Sequence, residues 1–144
     1  MECEFPTINE DKSKIKKIFE DVKTIAVVGL SPNPAKDSHK VAKYLQAQGY
    51  KIIPIYPKEE TILGEKVYRS LSEIKDKIDM VDIFRKPAAV LPIVKEAIKR
   101  GDVKVIWTQI GIVNNEAAKL AKDSGLRVVQ SRCSMVEHKN LFNK

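Results

Sequence analysis

Five short apolar runs, separated by segments of different periodicity, constrain this chain more than anything else in it. The runs are Thr24-Ile25-Ala26-Val27-Val28-Gly29, Lys51-Ile52-Ile53-Pro54-Ile55, Met80-Val81-Asp82-Ile83-Phe84, Val103 to Trp107, and Leu126-Arg127-Val128-Val129. Each is too short for a helix and lacks the strict polar alternation of a half-exposed strand, so each reads as a strand covered on both faces. Between them the apolar residues recur at helical spacing. Val41, Ala42, Tyr44 and Leu45 lead to a stop at Gly49. Val90, Leu91, Val94, Ala97 and Ile98 follow a helix-starting Pro87 and stop at Gly101. Residues 114–124 form a third such segment, ended by Gly125. An earlier helix over about 10–21, carrying Ile15, Ile18, Phe19 and Val22, is expected to lie on the sheet, and a last one runs from Ser134 to about Leu141. Residues 1–9 read as a loose lead-in. The stretch after Glu59 turns at Gly64, with a short strand or turn at Val67-Tyr68 and a short helix at Leu71 to Ile74.

Strands alternating with helices force parallel pairing through helical crossovers. The expected fold is therefore α/β: a Rossmann-like, doubly wound, five-stranded parallel sheet in a three-layer α/β/α sandwich. A chain of 144 residues, 43% hydrophobic and 31% charged, suits a single soluble domain spanning 1–144, with residues 1–22 as an N-terminal helix packed on it. The expected strand order, counting the apolar runs, is 3-2-1-4-5. Pro54 sits awkwardly in that order, because it removes a ladder donor from the second run.

Charge narrows the ligand. Lysine dominates, with 21 Lys against 5 Arg, and the net charge of +7 favours an anionic partner. One Trp and the lack of a basic–aromatic patch argue against nucleic acid. No apolar run approaches the roughly 18 residues of a membrane span, and Met1-Glu2-Cys3-Glu4 lacks the features of a signal peptide. Cys3 and Cys133 are too far apart in sequence to suggest a disulfide framework or a metal site. The expectation is a cytoplasmic protein with reduced thiols, no metal and a small-molecule ligand; a homodimer or a protein partner is left open.

In an open parallel sheet the ligand sits beyond the carboxyl ends of the strands. The first exit reads Gly29-Leu30-Ser31-Pro32-Asn33-Pro34-Ala35-Lys36-Asp37-Ser38-His39. Gly29 allows a sharp turn and close backbone approach. Ser31, Asn33 and Ser38 can donate to phosphate oxygens, Lys36 adds charge, and Ser38 and His39 lie where a helix start attracts anions. The plain alternative is a rigid loop whose polar residues only cap the helix. A dinucleotide fingerprint is excluded, because Ser and Pro stand where its second and third glycines belong. At the second exit, Tyr56-Pro57-Lys58 replaces the acid that would hold a ribose diol, and the lysine suits a ribose phosphate better. Glu59 and Glu60 follow closely enough to fold back. The third exit supplies Phe84 for an adenine and Arg85 and Lys86 for phosphate, with Asp82 needing a partner if buried. The fourth offers Gln109 and Gly111. The fifth holds Cys133 and His138, whose spacing does not place them on one helix face. No nucleophile–base or paired-carboxylate arrangement appears, so no residue is assigned a catalytic role.

With these pieces placed, the chain resembles the stand-alone CoA-binding domain family, similar to the CoA-binding domain of the succinyl-CoA synthetase alpha subunit. The similarity runs from about Lys23 to Phe142. It rests on Ile25 to Pro34, Gly49-Tyr50-Lys51-Ile52-Ile53-Pro54, Ile62 to Tyr68, Val81 to Arg85, Trp107 to Ile112, and Arg132-Cys133, in order and at natural spacing. The resemblance implies coenzyme A or an acyl-CoA bound across the strand exits, with phosphate contacts from the Gly29–Ser38 loop and nucleotide contacts near Pro57, Lys58 and Phe84 to Pro87. Tyr56 departs from the family, which commonly has Asn before that proline. The synthetase's phosphorylated histidine belongs to a further domain, so ligase activity is not implied. The expected function is a CoA-binding module without its own catalysis. The alternatives are a small redox enzyme or sensor forming a mixed disulfide with CoA through Cys133, in which Arg132 would lower the thiol pKa, and an NADP-binding regulator.

Overall fold

The computed structural model describes residues 5–142. Cys3 and the first four residues, read above for redox state and targeting, lie outside the described residues. The central sheet has five parallel strands: β1 (Thr24–Val28), β2 (Lys51–Ile55), β5 (Met80–Ile83), β6 (Val105–Thr108) and β7 (Arg127–Val129). Two further strands, β3 (Thr61–Ile62) and β4 (Glu65–Lys66), form an antiparallel hairpin after β2. The helices are α1 (Lys12–Asp21), α2 (Asp37–Ala47), α3 (Val90–Arg100), α4 (Asn115–Asp123) and α5 (Ser134–Phe142).

The sheet order is β2-β1-β5-β6-β7, which corrects the expected order. The third apolar run, β5, pairs with β1 and not with the far side of β2. Val27 of β1 lies between Pro54 of β2 and Asp82 of β5. The physical reason is Pro54. Gly29 N–H donates to Ile55 O at 2.9 Å and Lys51 N–H donates to Lys23 O at 2.9 Å, so alternate residues of β2 bond to β1. Pro54 faces the other way, where its missing N–H costs no ladder bond. On that side Tyr68 closes the edge: its N–H donates to Pro54 O at 2.9 Å and its carbonyl accepts from Tyr56 N at 3.1 Å.

Alternation along each strand splits the core into two layers. Ile25, Val27, Ile52, Met80, Trp107 and Val129 pack with Ile15, Ile18 and Phe19 of α1 and Val41 and Leu45 of α2. Ala26, Val28, Ile53, Val81, Ile83 and Ile106 pack with Val94 and Ala97 of α3 and Ala117 and Ala121 of α4. The helix signals act as read. Asp11 caps α1 by accepting from Lys14 N at 3.0 Å, Asn114 caps α4 by accepting from Ala117 N at 3.0 Å, and Gly101 ends α3 in the left-handed region at φ 84°.

The lead-in is not loose over residues 5–9. Asn9 pairs with both main-chain groups of Gln130, accepting from its N–H and donating to its carbonyl, each at 3.0 Å. Asn115 accepts from Thr7 N at 2.9 Å and donates to Phe5 O at 2.8 Å. Among the described residues no helix is long and apolar enough to cross a membrane.

Candidate functional site

In this strand order the connections leaving β1 and β5 run in opposite directions, so the crevice opens between the ends of those two neighbours. Gly29 sits there. Its φ of 86° is left-handed, and a Cβ would stand 2.6 Å from the Phe84 carbonyl oxygen and 3.3 Å from Arg85 Cδ. The turn therefore requires glycine twice, for its dihedral and for its closeness to the end of β5. The stem of Arg85 lies across the same point.

Beyond Gly29 the loop is built by its own polar groups. Ser31 N–H donates to Ser38 Oγ at 3.0 Å, Asn33 N–H to Ser31 Oγ at 3.1 Å, and Ala35 N–H to Asn33 Oδ1 at 3.0 Å. His39 Nδ1 meets the Ser31 carbonyl at 2.9 Å. Ser31, Asn33, Ser38 and His39, read above as ligand groups, thus hold the loop's shape first. The Leu30 side chain is fully buried beneath the loop, while Pro32 is half-buried and Lys36 exposed. Lys36 occupies the cap position of α2 without a side-chain bond to its first turn, leaving the early amides of this 11-residue helix open beside Asp37.

Two clefts flank Phe84, which forms a wall of both. The first, about 340 Å³, runs between α2, the end of β6 and the start of α5, and is lined by Lys40, Val41, Gln109, Ile112, Cys133 and Met135 with others. The second, about 450 Å³, lies over β1 and β2 and is lined by Val28, Gly29, Ile55, Tyr56, Pro57, Arg69, Phe84 and Arg85. Of the residues read from sequence, Gly29, Tyr56, Pro57, Phe84 and Arg85 meet in the second cleft and Gln109 lies in the first. Lys58 and Lys86 are exposed and line neither. Gly111, in the left-handed region at φ 84°, also stays outside both; its N–H donates to Ser131 Oγ at 3.0 Å.

Arg69 is the residue that the sequence reading missed. It follows Tyr68, whose bridge to Ile55 carries it to the β2 exit. Its Nη1 donates to the carbonyls of Tyr56 and Lys58, both at 3.0 Å. Nothing local in the sequence marks it, apart from its being an arginine in a lysine-rich chain.

Asp82 is completely buried on the face of β5 that meets α5. Its carboxylate accepts from Gln109 Nε2 and, at 2.9 Å, from Ser134 Oγ. Burial pushes its pKa up to about 7, against the pull of those two hydrogen bonds. Gln109 Oε1 in turn accepts from Ser134 N at 3.3 Å. Both ends of the Gln109 amide are thus engaged in joining β5, β6 and the first turn of α5, directly behind the first cleft. His138 belongs elsewhere. It is buried against Phe19, with ring centroids 5.1 Å apart, and its Nδ1 meets Tyr44 Oη at 2.7 Å. Burial lowers its pKa. Cys133 is on a cleft wall and His138 in an aromatic cluster. Among the described residues no group of three or more His, Cys, Asp or Glu is placed to hold a metal.

This geometry suits an extended anionic ligand, with cations and backbone at one cleft and an apolar channel at the other. A family model for the CoA binding domain matches residues 23–139. Protein YneT of Bacillus subtilis (strain 168) is 43% identical over 130 residues, covering 90% of this chain and 96% of its own length. A structure of a hypothetical protein from Pyrococcus horikoshii OT3 superposes with a TM-score of 0.89 at 43% identity, covering 98% of this chain and 99% of that one. The ADP-forming acetate–CoA ligase of Methanocaldococcus jannaschii is 28% identical over 118 residues, covering 77% of this chain but only 17% of the ligase. With the family model matching most of its length, the chain belongs to the CoA-binding domain family.

Proposed function

We propose that the protein binds coenzyme A or an acyl-CoA across the ends of β1, β2, β5 and β6, as a binding module without catalysis of its own. The observation that carries this reading is the pair of clefts sharing Phe84 at the crevice. The second cleft supplies two arginines, two aromatic rings and the close-approach backbone of Gly29, which suit a phosphorylated adenosine. The open amides at the start of α2, whose Asp37 and Lys40 line the first cleft, suit a diphosphate. The first cleft, walled mostly by Val41, Phe84, Ile110, Ile112, Met135 and Val136, suits a flexible and largely apolar arm. NADP would share the ribose phosphate but would put a polar nicotinamide riboside where that arm belongs. NAD would need a carboxylate for its ribose diol, and neither Glu59 nor Glu60 lines the second cleft.

Calorimetric titration with CoA, acetyl-CoA and NADP tests this. The expected result is micromolar binding of the CoA species and weaker binding of NADP. Absence of heat with either CoA species at millimolar concentration would reject the reading.

One observation favours a second reading. Cys133 lies on the wall of the first cleft, where the thiol end of the arm would arrive. In that reading the Cys133 sulfur attacks the disulfide of oxidised CoA, forms a protein–CoA disulfide and releases one molecule of CoA as thiol. Intact mass after incubation with CoA disulfide should show an added CoA on the wild type and none on Cys133→Ser. An unmodified wild type rejects it.

A further inference from the structure

Sequence reading gives the ribose phosphate to Lys58 and Arg85. In the structure Lys58 is exposed and outside the cleft, while its carbonyl is one of the two that Arg69 holds. We infer that Arg69, acting with Arg85, selects a ligand whose ribose carries a phosphate monoester, the group that separates CoA from dephospho-CoA. The inference rests on the CoA reading above and goes beyond it by naming what the second cleft discriminates.

Both side-chain hydrogen bonds of Arg69 come from one nitrogen, Nη1, and end on main-chain carbonyls at 3.0 Å, while its main-chain N–H donates to Glu73 Oε1 at 2.6 Å. They fix the guanidinium at the lip of the cleft, and among the described residues its Nε and Nη2 hydrogens meet no protein acceptor. On the facing wall Arg85 comes off the end of β5 with its stem across Gly29. The other three arginines all pair with carboxylates: Arg100 with Asp102, Arg127 with Asp21, and Arg132 with Glu137. Neither Arg69 nor Arg85 is in any ion pair of the described residues.

The cleft wall also holds no acid. It consists of Val28, Gly29, Ile55, Tyr56, Pro57 and Phe84 besides the two arginines. A ribose diol asks for an acceptor such as a carboxylate and finds none here. Two like charges facing one cleft repel each other, and a dianion between them turns that repulsion into attraction on both sides. A guanidinium with an anchored edge and a free edge presents its remaining donors without first losing rotamer freedom, which a surface lysine cannot do.

The test is the ratio of dissociation constants for dephospho-CoA and CoA, measured by calorimetry on the wild type and on Arg69→Gln, Arg85→Gln and Lys58→Ala. The wild type should favour CoA by about tenfold or more, the scale of a charge-assisted hydrogen bond. Arg69→Gln and Arg85→Gln should each bring the ratio close to one, by weakening CoA and sparing dephospho-CoA. Lys58→Ala should leave it within about twofold. A wild type that binds both ligands equally overturns the inference and leaves the CoA reading standing, whereas a wild type that binds neither defeats the CoA reading itself. Because Arg69 also ties down the β2 exit, melting temperatures accompany the titrations. If Arg69→Gln does not fold, Arg85→Gln decides, since the Arg85 side chain holds no main-chain group among the described residues: an unchanged ratio there overturns the inference.

Discussion

A methyl group at position 29 has no room. At φ 86° any side chain is strained, and this one would press within 2.6 Å of the Phe84 carbonyl oxygen. Gly29→Ala should therefore cost about 1–3 kcal/mol from backbone strain alone, read as a lower urea midpoint at neutral pH. Because the displaced atoms are Phe84 and Arg85, the CoA affinity proposed above should fall as well. A variant with the wild-type midpoint would show that the turn relaxes freely. Gly29 was legible in the sequence because a glycine closing an apolar run has few other reasons to be there. Arg69 was not. It lies 13 residues beyond Tyr56, past a hairpin, and only the bridge between Tyr68 and Ile55 returns it to the site. Lys58 held the opposite position, adjacent in sequence and outside the cleft in space. Neighbourhood along the chain predicts a strand exit well only until the chain loops back.

The elements themselves were almost all readable, since burial on both faces leaves strands apolar and glycines mark where helices stop. What escaped was their lateral order, although Pro54 carried the clue: a proline that costs no ladder bond belongs at an edge, and β2 is an edge of the five-stranded sheet. The role of Asp82 was also hidden, because its partners Gln109 and Ser134 come from two other elements. That cluster should make α5 docking depend on pH. With its pKa pushed up to about 7, Asp82 keeps in the folded chain a proton that the unfolded chain releases above about pH 4. Its stabilising contribution is full below that point and is lost as pH rises through about 7. His138, whose pKa burial lowers, works in the opposite sense and penalises acidification. Asp82→Asn keeps the shape and removes only the first effect. Its urea midpoint should therefore gain on that of the wild type as pH rises from about 4 to 7. Parallel profiles across that window would mean that Asp82 does not titrate there.

For the molecule as a whole, the expectation of an α/β sandwich built on a five-stranded parallel sheet agrees with the structure, and the family resemblance agrees with the family match over residues 23–139. The order of strands puts the crevice between β1 and β5, and so lets one residue, Phe84, serve two clefts. The ligase relatives carry the same domain inside a much longer chain, of which this protein corresponds to 17% in the Methanocaldococcus jannaschii enzyme. The two lateral ends of the sheet bear on how such a domain keeps company with others. At one end Pro54 offers no N–H, and Tyr68 already occupies its carbonyl. At the other, just past β7, the Asn9 carboxamide answers both main-chain groups of Gln130 as a neighbouring strand would. An incoming chain that tried to extend the sheet would meet a proline on one side and a molecular impostor on the other. Association through faces and loops remains open to this protein, while the route that leads to fibres is obstructed at both margins.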